Sequence, residues 1–400
     1  MKFSTEVRKK VAEKTKRRRF RISEKQRAAL RAVSVIILIL VLLFMATETL
    51  GIASVSDMND SIKNFFLTLS PGEGYPYKIN SSSVEGMTVL NGDIFVLTDE
   101  KTLSLDTTAK QVKGAQHTFS NPIISKKGGK VVLFDQKGNR YRIENRTDTL
   151  YTGETPEPEK IITAALGKKG NLALATLSDS SVSKLTVLNN SYKKEEFVWN
   201  CANDSIVSVD LSDNGKYAAV SVVGARDGEI YSKVYIFDFA YSEPKAEFEY
   251  PGTAIIEVRF VSKDNVVALG NNMVSFIKNL KTKEDKSFES DTLSNYTFSD
   301  KGDLLLVLSE HGSRNSQILK SYSSSFSKNF EEKYTSSVKS IFAADGKVSV
   351  LLEDKVVVYK SSGSVFREYP ADNTAISVMN IGNKTYVYAI GKIEKCSEKK

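Results

Sequence analysis

The sequence predicts an all-β protein, a β-propeller of eight four-stranded blades, preceded by one transmembrane α-helix. Three observations support this fold class. A turn with Gly, Asn or Asp recurs about every 41 residues, which matches the length of a propeller blade. Apolar and polar residues alternate on both sides of these turns, as they do in strands. A basic tail also precedes a single uncharged apolar segment, as is typical of a membrane anchor.

The positive charge of the chain is concentrated at its N-terminus. The formal net charge is +8, but residues 1–31 alone carry thirteen Lys and Arg against three Glu. The remaining residues carry 43 Lys and Arg against 45 Asp and Glu, so the folded body is nearly neutral. A nearly neutral body lacks the basic surface that nucleic acid requires. We therefore expect no nucleic-acid partner, and we expect the tail to attract anionic lipid headgroups.

Residues 28–52 are predicted to form a single membrane span. Residues 32–47 carry no charge, and the whole segment would extend roughly 37 Å as a helix, more than the ~30 Å hydrocarbon core. A basic cluster precedes the span: Arg17, Arg18, Arg19, Arg21, Lys25, Arg27 and Arg31. By the positive-inside rule, residues 1–27 form a cytoplasmic tail and the rest of the chain lies outside the cytoplasm. The alternative is a signal peptide cleaved near Ala53, which would release a secreted protein.

Residues 53–74 are predicted to form a short juxtamembrane stalk. Within it, residues 61–69 have the spacing of an amphipathic helix that lies on the bilayer or on the propeller. Pro71, Gly72 and Gly74 end that helix. The ring is therefore expected close to the membrane.

The fourth repeat shows the strand pattern most clearly. Val207, Val209 and Leu211 alternate with polar residues, and residues 217–223 are almost continuously apolar after the turn. Further β-rich runs follow at 234–239 and 246–250. Gly and Asn supply the positive φ angles that tight hairpins need.

Eight such inner hairpins are predicted, but the eighth has too few residues after it for a complete blade. We expect residues 75–79 to be the outermost strand of the last blade, which would close the ring. Pro76 is compatible with an edge strand. The propeller is predicted to span residues 75–396, followed by a charged tail at 397–400. Seven blades are the alternative, if the weak hairpin at 263–265 is an insertion.

Residues 211–220, Leu-Ser-Asp-Asn-Gly-Lys-Tyr-Ala-Ala-Val, resemble the hairpin of WD40 and TolB-type propeller blades. Residues 298–307 and 343–348 are weaker copies. The basic tail, the span, Gly-Glu-Gly-Tyr-Pro at 72–76 and the β repeats are together similar to an uncharacterised family of membrane-anchored, propeller-like proteins of Gram-positive bacteria. The resemblance covers about residues 15–395 and implies the propeller fold. That family has no assigned activity, so the resemblance implies no functional residue.

Few residues of the kinds that enzymes use are present. The single Trp199 disfavours a Trp-rich quinoprotein, and His117 and His311 are too few for a His-based metal site. We expect no metal, no cofactor and no disulfide between Cys201 and Cys396. Arg259, in a predicted inner strand at 255–261, is the one candidate to face the channel. The sequence assigns no catalytic residue.

These observations favour a binding or scaffolding module over an enzyme. The expected partner is an envelope protein, a peptide or a cell-wall component, held by loops on one face of the ring. One alternative is an envelope hydrolase or lyase with carboxylates and Arg in the channel. A third hypothesis is a ligand sensor that signals through the basic tail.

Overall fold

A computed structural model describes residues 55–397 and five upstream positions, Arg31, Ser34, Val35, Leu38 and Leu42. These five positions are helical, and the side chains of Val35, Leu38 and Leu42 are more than half exposed. Among the described residues, no helix has the length and apolar character that crossing a membrane requires. The predicted tail at 1–27, most of the predicted span at 28–52 and residues 398–400 lie outside the described residues. The chain divides into two compact units, Met1–Met58 and Asn59–Lys400.

Among the described residues, helix α1 (Val55–Leu67) lies directly before the ring in sequence. It begins before the predicted helix at 61–69 and ends before Pro71, whose ring prevents continuation of the helix. The described strands form eight antiparallel sheets of four strands each. The predicted eight blades of four strands are therefore confirmed.

The first four blades run in chain order. Blade 1 contains β2 (Val84–Leu90), β3 (Asp93–Thr98), β4 (Lys101–Leu105) and β5 (Gln111–Gln116). Blade 2 contains β6 (Pro122–Lys127), β7 (Lys130–Asp135), β8 (Arg140–Asn145) and β9 (Thr149–Glu154). Blade 3 contains β10 (Ile161–Leu166), β11 (Leu172–Leu177), β12 (Ser183–Leu188) and β13 (Glu195–Cys201). Blade 4 contains β14 (Ser205–Leu211), β15 (Tyr217–Arg226), β16 (Glu229–Asp238) and β17 (Ala246–Pro251).

The next three blades follow the same order, and the eighth is completed by the N-terminal strand. Blade 5 contains β18 (Ile255–Phe260), β19 (Val266–Gly270), β20 (Met273–Lys278) and β21 (Thr282–Ser287). Blade 6 contains β22 (Thr292–Phe298), β23 (Leu304–Ser309), β24 (Gln317–Tyr322) and β25 (Lys328–Tyr334), with a short 3₁₀ turn at Glu310–Gly312. Blade 7 contains β26 (Ser340–Ala344), β27 (Lys347–Leu351), β28 (Lys355–Lys360) and β29 (Val365–Pro370). Blade 8 contains β30 (Ala375–Ile381), β31 (Lys384–Ala389), β32 (Lys392–Lys395) and β1 (Tyr77–Lys78).

Strand β1 closes the ring. It is the outermost strand of blade 8 and pairs antiparallel with β32, with Tyr77 opposite Ile393. This confirms the predicted closure, which covers the edge that blade 8 would otherwise expose. The seven-blade alternative is wrong, because β18 and β19, on either side of residues 263–265, form the inner hairpin of a complete sheet.

The inner turns of the blades lie on one face of the ring. Antiparallel pairing places the turn between the first and second strands at the same end of each blade as the turn between the third and fourth. We call this end the hairpin face. In the inner turn of blade 1, Asn91 and Gly92 have φ angles of 48° and 88°, which suit a tight hairpin.

Apolar clusters fill the spaces between neighbouring blades. The cluster between blades 3 and 4 contains fourteen buried residues, including Phe237, Val220 and Leu185. The cluster between blades 1 and 2 contains only three, Leu90, Phe95 and Val131. Burial of apolar surface therefore holds most of the ring together, and the junction of blades 1 and 2 uses other interactions as well.

Candidate functional site

The innermost strands of all eight blades surround a central channel. They enclose a cavity of about 950 Å³ that reaches the inner turns of the hairpin face. The opening of the channel on this face is called the hairpin mouth. The innermost strands mix buried with partly exposed side chains, whereas the second strands are almost fully buried. The innermost strands therefore carry the residues that a ligand in the channel would meet.

One side of the channel wall is charged. We call this side the charged arc: the channel-lining parts of blades 2 to 6, including Lys126, Lys127, Asp210, Glu257, Arg259 and Asp300. The Lys127 ammonium lies 3.3 Å from both carboxylate oxygens of Asp210, which also accepts a 2.8 Å hydrogen bond from the Phe260 backbone NH. The six named residues comprise three positive and three negative groups, so the arc as a whole favours neither sign of ligand charge.

An ion pair crosses the channel at the hairpin face. Lys126 belongs to blade 2 and Asp300 to the inner turn of blade 6, which lies opposite in a ring of eight. The Lys126 Nζ atom is 2.8 Å from the Asp300 carboxylate. The Lys126 side chain is one-fifth exposed and that of Asp300 two-thirds exposed. A pair this exposed contributes little stability and can be replaced by a ligand.

Arg259 lines the channel in strand β18. Its guanidinium lies 3.0 Å from Glu257 Oε1 and stacks 5.3 Å from the Phe298 ring. The Tyr296 hydroxyl donates a 2.8 Å hydrogen bond to the other Glu257 oxygen. Burial alone lowers the pKa of Arg259, but the carboxylates of Glu257 and Asp210 together raise it. Burial raises the pKa of Tyr296, and Glu257 raises it further.

The Nε atom of Arg259 is buried and has no hydrogen-bond partner within the described chain. An unsatisfied donor on a charged group is costly to bury, which makes this atom a natural contact for an acceptor in the channel.

The other side of the channel is largely uncharged; among its described lining residues, Asp345 in the inner turn of blade 7 carries a charge. We call it the apolar arc: the channel-lining parts of the innermost strands of blades 7, 8 and 1. Phe342 and Met87 are partly exposed there, whereas Val378, Met379 and Val89 are buried between the blades. Met and Phe side chains offer adaptable or flat apolar contacts. A ligand that fits this channel has a polar side and an apolar side.

Neither the two His nor the two Cys residues line the channel. His117 Nε2 contacts the Thr98 carbonyl oxygen at 3.0 Å, and burial lowers the pKa of His117. His311 is exposed in the 3₁₀ turn of blade 6. Cys201 and Cys396 are free thiols. The structure describes Arg31 alone among the basic residues of the predicted membrane flank.

No group of three or more His, Cys, Asp or Glu within the described residues is placed to hold a metal ion. Sequence reasoning missed Glu257, Lys126 and Lys127. Glu257 lies two residues before Arg259, so strand alternation places both on the same side of β18. Lys126 and Lys127 carry no such signal, because their partners are distant in sequence.

The fold is similar to solved propellers at low sequence identity. The chain is similar to Saccharomyces cerevisiae Sqt1, with a TM-score of 0.57 and 10% identity over 82% of this chain and 99% of that one. It is similar to the C-terminal WD40 domain of Sif2, with a TM-score of 0.55 and 10% identity over 82% of this chain and 99% of that one. These two likenesses show the propeller fold. BamB from Moraxella catarrhalis is also similar, with a TM-score of 0.46 and 10% identity over 81% of this chain and 100% of that one.

A search of the curated proteins finds no match. A family model matches residues 75–396, which include the whole ring from β1 to β32. That model describes a family of unknown function, so it assigns no activity to the channel. The chain belongs to this family, DUF5711.

Proposed function

We propose that this protein is a membrane-tethered β-propeller, outside the cytoplasm, that binds an envelope protein, a peptide or a cell-wall component. The ligand binds in the channel at the hairpin face. The observation that carries this proposal is the two-sided wall of the channel, charged on one arc and apolar on the other. The basic tail and uncharged segment at 1–52 support the tether and its orientation.

The charged arc supports a binding role because its groups are already paired. Glu257 uses one oxygen for Arg259 and the other for Tyr296, and Asp210 uses both for Lys127. A paired carboxylate is a poor general base, but it holds its neighbours in fixed positions. Arg259 is thereby presented to the channel in one orientation.

Site-specific photo-crosslinking in native membranes tests this proposal. A photoreactive residue at Lys301, which lines the hairpin mouth, is expected to give a discrete crosslinked product. The same residue at Ile390, in the turn between β31 and β32 on the opposite face, is expected to give none. Equal products from both positions, or no product from either, would contradict the proposal.

A matched pair of Arg substitutions identifies the channel as the site. Arg259→Met is expected to reduce the Lys301 product at least about tenfold, as expected when a buried charged contact is lost. Arg226→Met is the control: Arg226 pairs with Glu249 on the exposed surface of blade 4 and does not line the channel. Equal loss in both variants, with unchanged circular dichroism, would place the binding site elsewhere.

A second candidate function is an envelope hydrolase or lyase. It is favoured by one observation, the placement of Glu257, Arg259 and Tyr296 together in the channel. For acid-base catalysis, substrate must replace Arg259 or Tyr296 as the partner of Glu257. Cell-wall fragments released by the full-length protein, and lost in Glu257→Gln, would support this candidate over simple binding.

A further inference from the structure

One side of helix α1 is fixed to the hairpin face. The Asp60 carboxylate is almost completely buried and lies 2.9 Å from the Arg146 guanidinium. It also accepts hydrogen bonds from the Thr147 hydroxyl at 2.8 Å and the Asn91 amide at 3.2 Å. Arg146 and Thr147 belong to the outer turn of blade 2, and Asn91 to the inner turn of blade 1. The helix therefore lies across blades 1 and 2 on the hairpin face.

Further contacts fix both the middle of α1 and the segment after it. The Lys63 ammonium lies 2.8 Å from the Asp148 carboxylate. Beyond the helix, Lys110 donates a 2.8 Å hydrogen bond to the Ser70 hydroxyl, and the Gly72 NH donates a 2.7 Å bond to the Thr108 hydroxyl. All of these partners lie in turns of blades 1 and 2 on the hairpin face.

The opposite side of α1 is apolar and exposed. Its side chains are Ile62, Phe65 and Phe66, and Leu69 continues the row just beyond the helix; they are between 49% and 66% exposed. Their spacing of i, i+3, i+4 and i+7 is that of one helical stripe. At 100° per residue, the stripe points away from Asp60. We call it the α1 apolar stripe.

The sequence immediately before α1 identifies what covers this stripe. The predicted span ends near residue 52, three residues before Val55, and its uncharged part at 32–47 ends eight residues before Val55. The helix rises about 15 Å from Val55 to Phe65, and three residues span at most about 11 Å. A chain anchored by that segment therefore holds the stripe within roughly 25 Å of the end of the span, within reach of the bilayer surface. Two adjacent Phe side chains suit the interface of a bilayer, where aromatic rings concentrate.

We infer that the α1 apolar stripe lies in the interface of the lipid bilayer and turns the hairpin face of the ring towards the membrane. This inference rests on the tether in the proposed function. The buried Asp60 contacts make α1 a rigid bracket between ring and bilayer, rather than a flexible stalk. The hairpin mouth of the channel then opens towards the membrane surface, where it meets membrane proteins or extended membrane-proximal chains.

Fluorescence quenching by brominated lipid in proteoliposomes of the full-length protein tests this inference. Trp199→Phe removes the native Trp, and Phe66→Trp then places a single Trp in the stripe. Ile390→Trp in the same background is the matched control, since Ile390 is 71% exposed on the opposite face. The vesicles contain phosphatidylcholine and phosphatidylglycerol, and the phosphatidylcholine is then replaced by its dibromo form. This replacement is expected to reduce the emission of the Phe66→Trp protein at least about twofold and to leave that of the Ile390→Trp protein unchanged.

The outcomes separate this inference from the tether. If the Phe66→Trp protein floats with alkali-washed liposomes but its emission is not quenched, the inference is wrong and the tether stands. If the protein does not float, both are wrong. An emission that is blue-shifted but unquenched would mean that protein covers the stripe, either a second copy or residues 28–52 of the same chain, and would also overturn the inference.

Discussion

The junction between blades 1 and 2 and the junction between blades 3 and 4 are built differently. Between blades 3 and 4, fourteen buried residues form an apolar core. Between blades 1 and 2 the apolar cluster contains only three buried residues, and buried ions lie at the same junction. The Lys113 ammonium of blade 1 lies 2.6 Å from Glu144 of blade 2, and Arg142 is also paired with Glu144.

The apolar junction contributes mainly stability, whereas the ionic junction contributes mainly specificity of packing. An apolar core stabilises in proportion to the area it buries but accepts many alternative packings. Buried ions stabilise little in net terms, yet they tolerate few alternative partners. The ionic junction is also the place where α1 docks, since Arg146 lies between Asp60 and Asp93. We therefore expect the ions to fix the position of the helix, and the apolar junctions to carry the stability of the ring.

The largest effect is expected at the apolar junction. Phe237→Ala removes a fully buried ring from the core of blades 3 and 4 and should lower the free energy of unfolding by about 3–5 kcal/mol. Urea unfolding followed by circular dichroism measures the change. Phe239→Ala, at a partly buried position beside the same core, is the control and should cost about half as much. A cost below about 1 kcal/mol for Phe237→Ala would contradict this view of the junction.

A somewhat smaller effect is expected for the ions. Glu144→Leu leaves the buried Lys113 ammonium without its carboxylate and should lower the free energy of unfolding by about 3 kcal/mol. Adding Lys113→Met removes the more deeply buried of the two cations that lose Glu144, so the double variant should recover part of that loss although Arg142 stays charged. The same urea titration measures both variants. A double variant less stable than Glu144→Leu would show that the ions themselves stabilise the junction.

The third effect depends on pH. Burial raises the pKa of Asp93 to about 7, although Arg146 by itself lowers it. Below this pKa and above the unfolded value of 3.8, the folded state holds a proton that the unfolded chain releases. Stability should therefore fall as the pH rises, by roughly 2–3 kcal/mol between about pH 5 and pH 7. Asp93→Asn should lose this part of the pH dependence; parallel curves for the two proteins would refute the assignment.

The smallest effect is expected where the ions are exposed. Lys63 and Asp148 pair at 2.8 Å on the same junction, but their side chains are 46% and 28% exposed. Lys63→Met should change the free energy of unfolding by less than about 0.5 kcal/mol, since exposed ion pairs are screened by water and salt. A loss comparable with that of Glu144→Leu would mean that burial is not what distinguishes the two pairs.

Much of the fold could be predicted from local patterns. The turn at 213–215 and the alternation before it place β14 and β15, and the shortage of residues after the eighth hairpin predicts the closure by β1. Less of the candidate site could be predicted from the sequence. Arg259 could be predicted to face the channel because it is a charged residue in an inner strand. The ion pair of Lys126 and Asp300 could not be predicted, because only folding places blades 2 and 6 opposite each other. Contacts across a ring leave no periodic signal in the chain.

The sequence by itself determined the repeat and the concentration of charge at the N-terminus, because each depends on neighbours along the chain. It also predicted the closing strand, from the shortage of residues after the eighth hairpin, but the structure decided between eight and seven blades. Only the tertiary structure decided which junction is ionic, which arc of the channel is charged and which side of α1 stays exposed. Those features depend on pairs such as Asp60 with Arg146 or Lys113 with Glu144, which folding brings together from different parts of the chain. Burial then decides their energetic role, since the same ion pair is weak in water and costly to break inside the ring.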